Sequence, residues 1–181
     1  RSFKIRGAYN KIIKQDLTDK SIEFVTASAG NHAQGVAYTC NMLNLKCNIF
    51  VPENIPLQKI SRIKYFGNKD CNLVIKGKDF NDSLNFSYDY CNSKNKNRIF
   101  VHPYDDLDVI EGQGNIATEI LKELRPDIVI AAIGGGGLIS GLINRLNNNN
   151  NNNNNNCHVY GVEPEGAASM YESIKYNKII T

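Results

Sequence analysis

The chain has 181 residues, of which 41% are hydrophobic and 22% are charged, and its formal net charge is +3. These proportions are typical of a globular protein and exclude an intrinsically disordered chain. The small net charge and the scattered basic residues argue against a nucleic-acid partner. No apolar run approaches the roughly 20 residues that a membrane span requires. We therefore expect no nucleic acid and no membrane as partners, and a cytoplasmic location, with organellar targeting left open.

Apolar runs rich in β-forming residues alternate with helical patterns along the whole chain. The runs predict strands at 23–27, 47–51, 73–76, 99–102, 127–133 and 158–162. The helical patterns lie at 2–17, 31–44, 56–66, 79–93, 112–124 and 138–146. Such alternation predicts an α/β fold with parallel sheets.

A boundary between two units is expected near His102 to Asp106, because four predicted strands precede it and only two follow. Two strands do not form an independently stable sheet. We therefore expect the second unit to be incomplete and the chain to be a fragment of a longer protein. The ten consecutive asparagines at 147–156 predict a disordered loop. An interaction or aggregation tract is the alternative interpretation.

The five cysteines do not form a disulfide framework or a metal motif. They are odd in number, no two form a C-x-x-C pair, and several lie in apolar runs. Buried free thiols in a reducing compartment are the preferred interpretation, over zinc ligands or disulfides.

The first predicted helix carries a lysine, Lys4, just inside its start. Ser2 is a plausible N-cap. The apolar residues of this helix are Ile5, Ala8, Tyr9, Ile12 and Ile13. Their spacing places them on one face of the helix and leaves Lys4 outside that face. The partial positive charge of a helix N-terminus disfavours an ammonium, and a neutral amine is the form that attacks a carbonyl. Taken alone, Lys4 is more readily interpreted as a solvated surface residue, as most lysines near a helix start are.

A second polar stretch joins the first predicted strand to the next helix and contains Ser28, Gly30 and Asn31. Open α/β sheets bind ligands outside the carboxyl ends of their strands, and a helix N-terminus offers free N–H donors to an anion. The stretch therefore fits a carboxylate. A capped turn without a ligand is the alternative.

Four consecutive glycines, Gly134 to Gly137, follow the predicted strand at 127–133 and precede Leu138. So many glycines are costly to order, and their N–H groups can converge on a phosphate. The pattern matches neither Walker A nor G-x-G-x-x-G, and a flexible turn is the alternative. An amine, a carboxylate site and a phosphate site together indicate pyridoxal phosphate chemistry on an amino acid.

These stretches resemble the fold-type II pyridoxal-phosphate enzymes, and within them the threonine dehydratase (threonine ammonia-lyase) and serine racemase family. The matching motifs lie at 2–8, 28–35 and 134–138, with supporting matches at 51–59, 109–114 and 161–167. The resemblance implies a tryptophan synthase β-like fold with two open parallel-sheet domains. Residues 26–100 would form the small substrate-loop domain, and residues 1–25 and 101–181 would belong to the large cofactor-binding domain.

The resemblance also implies roles for individual residues. Lys4 would form the Schiff base with pyridoxal 5'-phosphate and remove the Cα proton of the substrate. Phe3 would pack against the cofactor ring and Asn31 would bind the ring hydroxyl. The phosphate would be held by Gly134, Gly135, Gly136, Gly137 and Leu138. The substrate would be gripped by Ser28, Ala29, Gly30, Asn31 and His32.

The activity implied by the resemblance is an ammonia-lyase reaction on L-threonine or L-serine, giving 2-oxobutyrate or pyruvate plus ammonia. With L-threonine, this reaction is the first step of isoleucine biosynthesis. Serine racemases carry a second serine where Ala29 stands, so a lyase is favoured and a racemase is the alternative. A catalytically inactive cofactor-binding fragment is the second alternative. A homo-oligomer, either a dimer or a tetramer, is expected of the complete protein.

Some relatives bind a divalent cation in the segment that matches residues 163–169. By this resemblance Glu163 and the Ala167 carbonyl are candidate ligands for Mg²⁺ or Ca²⁺, which prefer oxygen. Ser169 stands where those relatives have aspartate. A solvated acidic turn without a metal is the alternative.

Overall fold

The computed structural model describes residues 2–93, 97–148 and 157–180. The helices are α1 (Lys4–Ile13), α2 (Asn31–Met42), α3 (Leu57–Phe66), α4 (Phe80–Asn92), α5 (Leu107–Glu123), α6 (Gly137–Asn148) and α7 (Ser169–Tyr176). The strands are β1 (Glu23–Ala27), β2 (Lys46–Val51), β3 (Cys71–Ile75), β4 (Arg98–Phe100), β5 (Ile128–Ala132) and β6 (His158–Val162). A 3₁₀ helix covers Glu165–Ala167. The alternation of strand and helix is confirmed.

The first four strands form one parallel sheet in the order β3-β2-β1-β4. Strand β1 is central, and its Phe24 pairs with Cys47 of β2 and with Ile99 of β4. Because β1 and β4 are parallel neighbours, the residues that follow them meet at the same edge of the sheet. Ser28 directly follows β1, and His102 lies two residues after the end of β4.

Helices cover both faces of the four-stranded sheet. Phe24 of β1 belongs to a core that includes Ile12 of α1 and Val36 of α2. The next residue, Val25, belongs to a second core that includes Leu84 of α4. Successive side chains of a strand point to opposite faces, so a strand with both faces covered appears as a continuous apolar run. This burial explains why β1 was recognisable in the sequence.

Strands β5 and β6 form a separate parallel pair. One face of the pair packs against α6 through a small core that contains Ala131 and Leu142. The other face leaves Ile130 71% exposed and Tyr160 56% exposed. The described residues therefore cover the second sheet on one side only.

Helix α1 lies between α2 and α5, and a glycine allows close approach at each contact. A Cβ atom on Gly35 of α2 would lie 3.1 Å from the Cα of Ile5, and one on Gly112 of α5 would lie 2.5 Å from the Arg6 carbonyl oxygen. Lys11 of α1 also pairs with Asp106 at 2.8 Å. Helix α1 is thus held on two sides, which fixes the position of Lys4 at its start.

Two helices differ from the predictions because of their N-terminal capping. Helix α5 begins at Leu107, five residues earlier than predicted, because the Asp106 carboxylate accepts the N–H groups of Asp108 (2.9 Å) and Val109 (3.1 Å). In α1, Phe3 occupies the N-cap position predicted for Ser2. The Ser2 hydroxyl still accepts the backbone N–H of Lys4 at 3.3 Å.

The remaining expectations have mixed outcomes. The five cysteines are free thiols, as predicted, and Cys40 and Cys47 are buried. Among the described residues, none of the helices is long and apolar enough to cross a membrane. The predicted disorder at 147–156 is wrong for Asn147 and Asn148, which extend α6, and residues 149–156 lie outside the described residues. The division at residues 26–100 stays a prediction, although the four-stranded sheet ends at Phe100.

Candidate active site

Lys4 lies on the wall of a cavity of about 290 Å³ at the edge of the four-stranded sheet. Its Nζ atom donates a hydrogen bond to the Pro103 carbonyl oxygen at 2.6 Å and lies 5.4 Å from the centre of the Phe3 ring. The lining residues are Ser2, Phe3, Lys4, Ala27, Ser28, Asn31, His32, Phe80, Pro103 and Tyr104. The cavity thus gathers residues from four separate parts of the chain.

Burial changes the acid–base chemistry of the Lys4 amine. Desolvation of the half-buried ammonium lowers the pKa of Lys4 below its ordinary value, because burial disfavours the charged form. A larger fraction of neutral amine is therefore present at a given pH. The sequence argument had predicted this direction but assigned it to the helix N-terminus rather than to burial.

The stretch from Ser28 to His32 crosses the same edge of the sheet and starts α2 at Asn31. The Ser28 hydroxyl accepts the Gly30 N–H at 3.2 Å. Ser28, Asn31 and His32 line the Lys4 cavity, whereas Ala29 packs partly against the main core. The structure therefore brings three of the five predicted substrate residues to the lysine; the role itself stays a prediction.

His32 is buried and held in one orientation. Its Nε2 atom lies 2.9 Å from the Val101 carbonyl oxygen, which also accepts the Thr26 hydroxyl at 2.8 Å. Desolvation lowers the pKa of His32 to about 4, so the ring is neutral near pH 7 and Nε2 carries the proton. The Nδ1 atom is buried and has no partner among the described residues. His32 thus fixes the start of α2 against the end of β4.

The glycine loop connects β5 to α6, and Gly136 adopts a positive φ of 82°. A Cβ atom on Gly135 would lie within 2.5 Å of three ring carbons of Tyr104, and one on Gly137 would lie 2.7 Å from the Tyr104 carbonyl oxygen. Leu138 packs into the core beneath β5 and β6. The loop therefore contacts the Lys4 cavity through Tyr104, while the four glycines and Leu138 do not line that cavity.

Sequence reasoning missed Pro103 and Tyr104, which it treated as a domain boundary. They follow β4, whose carboxyl end lies beside that of β1. The rule that ligands bind at the carboxyl edge of a parallel sheet applied to the residues after β4 as well as to those after β1. The missing information was that β1 and β4 are neighbours.

The predicted cation ligands lie beside α7, a helix that the sequence analysis did not predict. The two carboxylate oxygens of Glu163 accept the N–H groups of Met170 (3.0 Å) and Tyr171 (2.8 Å), which caps α7. Within the described ranges, no three His, Cys, Asp or Glu side chains are grouped so that they could hold a metal ion. The observed role of Glu163 is therefore a helix cap.

The chain matches a protein family along its whole length. The sequence profile of a family described as pyridoxal-phosphate dependent enzyme matches residues 1–181. A curated relative from Staphylococcus saprophyticus, named L-threonine dehydratase biosynthetic IlvA, is 44% identical; the match covers 100% of this chain and 43% of that protein. The chain thus spans less than half the length of the curated relatives that it matches.

Solved structures show the same likeness. The processed form of threonine deaminase isoform 2 from Solanum lycopersicum matches with a TM-score of 0.87 and 37% identity, over 99% of this chain and 50% of that one. Serine racemase from Dictyostelium discoideum matches with a TM-score of 0.85 and 31% identity, over 99% of this chain and 56% of that one.

Proposed function

The chain belongs to the family of pyridoxal-phosphate dependent enzymes, and we propose that it supplies the lysine and substrate loop of an ammonia-lyase acting on L-threonine or L-serine. The family and the α/β architecture of fold-type II enzymes are as the sequence indicated. The names of the staphylococcal and tomato relatives support threonine as the substrate. The observation that carries the proposal is the Lys4 amine, with its lowered pKa, facing Ser28 and Asn31 across one cavity.

The residues present fit pyridoxal phosphate. Lys4 offers a half-buried amine, and Phe3 offers an aromatic ring beside it. The first N–H groups of α6 have no intrahelical acceptor, and Gly134 leaves open space where a Cβ would otherwise project. A phosphate at this helix start is favoured by both features. When bound, the cofactor supplies a sink for the electrons left at Cα when its proton is removed.

Residues of this chain would carry out proton removal and substrate binding. Lys4 Nζ takes and holds the Cα proton of the substrate. Ser28 and Asn31, at the positive N-terminus of α2, orient the substrate carboxylate. Serine racemases carry a serine where Ala29 stands, and the missing hydroxyl favours loss of the β-hydroxyl, which leaves as water with the proton that Lys4 took, over reprotonation of Cα with inversion.

The test is 2-oxobutyrate release from L-threonine by the protein at its full natural length, supplied with pyridoxal phosphate. We expect Lys4→Ala to abolish release, by a factor of at least about 10³, because the only general base of the proposal is lost. Lys20→Ala, a change at an exposed lysine, is the matched control and should retain release. Release that persists in Lys4→Ala would contradict the proposal.

Two alternatives are separated by the products. D-serine formed from L-serine as fast as pyruvate would establish a racemase instead, as the likeness to the Dictyostelium enzyme allows. A bound cofactor with no turnover of either amino acid would establish an inactive cofactor-binding protein. Chiral chromatography of the reaction mixture distinguishes the three outcomes.

Three further expectations stay predictions. A divalent cation at Glu163 and Ala167 would have to use the carboxylate lone pairs that the α7 cap leaves free, and titration calorimetry with Mg²⁺ and Ca²⁺ tests it. The homo-oligomeric state is measured by light scattering of the protein at its natural length. The cytoplasmic location is tested by cell fractionation.

A further inference from the structure

A single side-chain nitrogen closes the turn that follows β4. The Nδ1 atom of His102 lies 3.2 Å from the backbone nitrogen of Tyr104 and 2.7 Å from that of Asp105. Both backbone N–H groups donate, so Nδ1 must be the unprotonated nitrogen of the ring. Acceptance of the N–H groups two and three residues further on is the arrangement that Asn and Asp side chains use in turns.

This turn contacts both predicted halves of the cofactor site. Its Pro103 carbonyl oxygen accepts the Lys4 amine at 2.6 Å. Its Tyr104 ring packs on Gly135, and its Tyr104 backbone packs on Gly137. The His102 and Tyr104 rings meet edge to face with centres 4.7 Å apart. A shift of the turn would therefore move the Pro103 carbonyl oxygen, which binds the Lys4 amine, together with Tyr104, which packs against the glycine loop.

We propose that His102 is a positioning residue, whose neutral imidazole holds the Pro103–Tyr104 turn so that Lys4 and the glycine loop keep their relative position. The identity of the group that binds there rests on the proposed function. The turn and its contacts stand without it.

The groups around His102 determine when the imidazole is neutral. Lys4 of α1 and His32 of α2 face it from other elements, and Asp105 and Asp106 lie in its own segment. Burial lowers the pKa of His102, Lys4 lowers it further, and the two aspartates oppose this. Protonation would turn Nδ1 into a donor and break both hydrogen bonds of the turn. The turn is therefore intact above the pKa of His102 and weakened below it.

The test compares His102→Asn with His102→Leu in the protein at its natural length. The Asn side chain keeps an acceptor for the same two N–H groups, whereas Leu keeps the bulk and removes the acceptor. The readout is the dissociation constant of pyridoxal phosphate, measured by equilibrium dialysis at pH 8. We expect affinity about tenfold weaker for His102→Leu, from the loss of turn hydrogen bonds, and within about threefold of wild type for His102→Asn.

A pH series keeps the proposal testable even if His102→Leu does not fold. Cofactor affinity of the wild type should fall more steeply on acidification than that of His102→Asn, because only the wild type carries the titrating imidazole, whereas Lys4, Asp105 and Asp106 are common to both proteins. Equal pH dependence in the two proteins would overturn the proposal. So would equal cofactor affinity in the Leu and Asn variants at pH 8, since the acceptor would then make no difference.

A cofactor-free measurement separates this proposal from the proposed function. Acetic anhydride labels neutral amines, so the pH profile of Lys4 labelling, read by mass spectrometry, reports the pKa of Lys4. Opening the turn should raise that pKa toward the ordinary value in His102→Leu and leave it unchanged in His102→Asn, with Lys20 labelling as the internal standard. If pyridoxal phosphate does not bind the wild type, the proposed function fails and this profile still decides the role of His102. A pH profile of Lys4 labelling that is the same in His102→Leu as in the wild type would contradict the positioning role of His102.

Discussion

Lys4 shows how the surroundings of a residue decide its chemistry. Its amine is half-buried beside two aromatic rings and a carbonyl oxygen, and desolvation lowers its pKa. The carbonyl of Pro103 accepts the amine in either protonation state, so it keeps the amine in place without fixing its charge. Position and acid–base behaviour of this lysine thus have separate causes.

His32 should make the stability of the chain depend on pH. Its pKa is about 4 in the folded chain and near 6.5 when unfolded, so the unfolded chain binds more protons in between. Its contribution is complete above pH 6.5 and is lost as the pH falls toward 4. At about 1.4 kcal/mol for each pKa unit, the total loss is about 3 kcal/mol.

The measurement is urea unfolding between pH 7 and pH 4. Between pH 7 and pH 4, the free energy of unfolding should decrease less in His32→Gln than in the wild type, by up to about 3 kcal/mol. His158→Gln changes an exposed imidazole and should leave the fall as in the wild type. Identical pH profiles for the wild type and His32→Gln would show that His32 is not the responsible group.

Gly135 and Gly134 should respond differently to an added methyl group. A Cβ on Gly135 overlaps the Tyr104 ring, whereas one on Gly134 meets no atom within 4 Å. Overpacking of this kind costs about 1–3 kcal/mol. We expect Gly135→Ala to lower the free energy of unfolding by that amount in urea titrations without cofactor, and Gly134→Ala to cost less than about 1 kcal/mol. Equal losses would mean that Tyr104 does not press on the loop.

At the scale of elements, carboxylates decide where two helices begin. Asp106 caps α5 and Glu163 caps α7 from outside the helix. Asp106 directly precedes its helix, so its signal was present in the sequence, although the predicted helix began only at Gly112. Glu163 lies six residues before Ser169, so the cap forms only because the intervening 3₁₀ helix turns the chain back.

Removal of the Glu163 carboxylate should loosen α7 alone. Glu163→Ala leaves the N–H groups of Met170 and Tyr171 without their acceptors and removes a negative charge from a helix N-terminus. Losses of this kind cost about 1–2 kcal/mol. We expect hydrogen exchange at these two amides to accelerate about tenfold by NMR, while Glu165→Ala, at an exposed carboxylate, leaves it unchanged. Unchanged exchange in Glu163→Ala would exclude the cap.

At the scale of the whole molecule, the two sheets differ in how they are covered. Helices bury both faces of the four-stranded sheet, whereas the part of the chain that the structure describes covers the β5–β6 pair on one face only. Two strands by themselves are marginally stable. The cavity beside Lys4 is built mainly on the better-covered sheet, and the glycine loop extends from the pair.

This difference predicts unequal protection from hydrogen exchange in the 181-residue chain. Amides of β1 and β2 should exchange only through global unfolding, and those of β5 and β6 should exchange at least about tenfold faster through local opening. Mass spectrometry of peptic fragments gives both rates in one sample. Equal protection of the two sheets would show that they unfold as one unit.

The order of strands and helices was predictable from the sequence, because strands buried on both faces and amphipathic helices have recognisable local patterns of apolar residues. Lys4, the polar turn and the four glycines could also be singled out as site residues, because together they supply an amine, a carboxylate site and a phosphate site. These patterns, through the resemblance that they carry, were enough to indicate the family that the whole-length match shows.

The residues that surround Lys4 could not be predicted from the sequence, because they come together only in the folded chain. Pro103 lies 99 positions from Lys4 and comes within 2.6 Å of it only because β4 pairs with β1 and α1 packs between α2 and α5. Strand order and helix packing depend on contacts between distant segments, which no local pattern encodes. The same contacts set the burial of Lys4, His32 and His102, and therefore the direction in which each pKa moves.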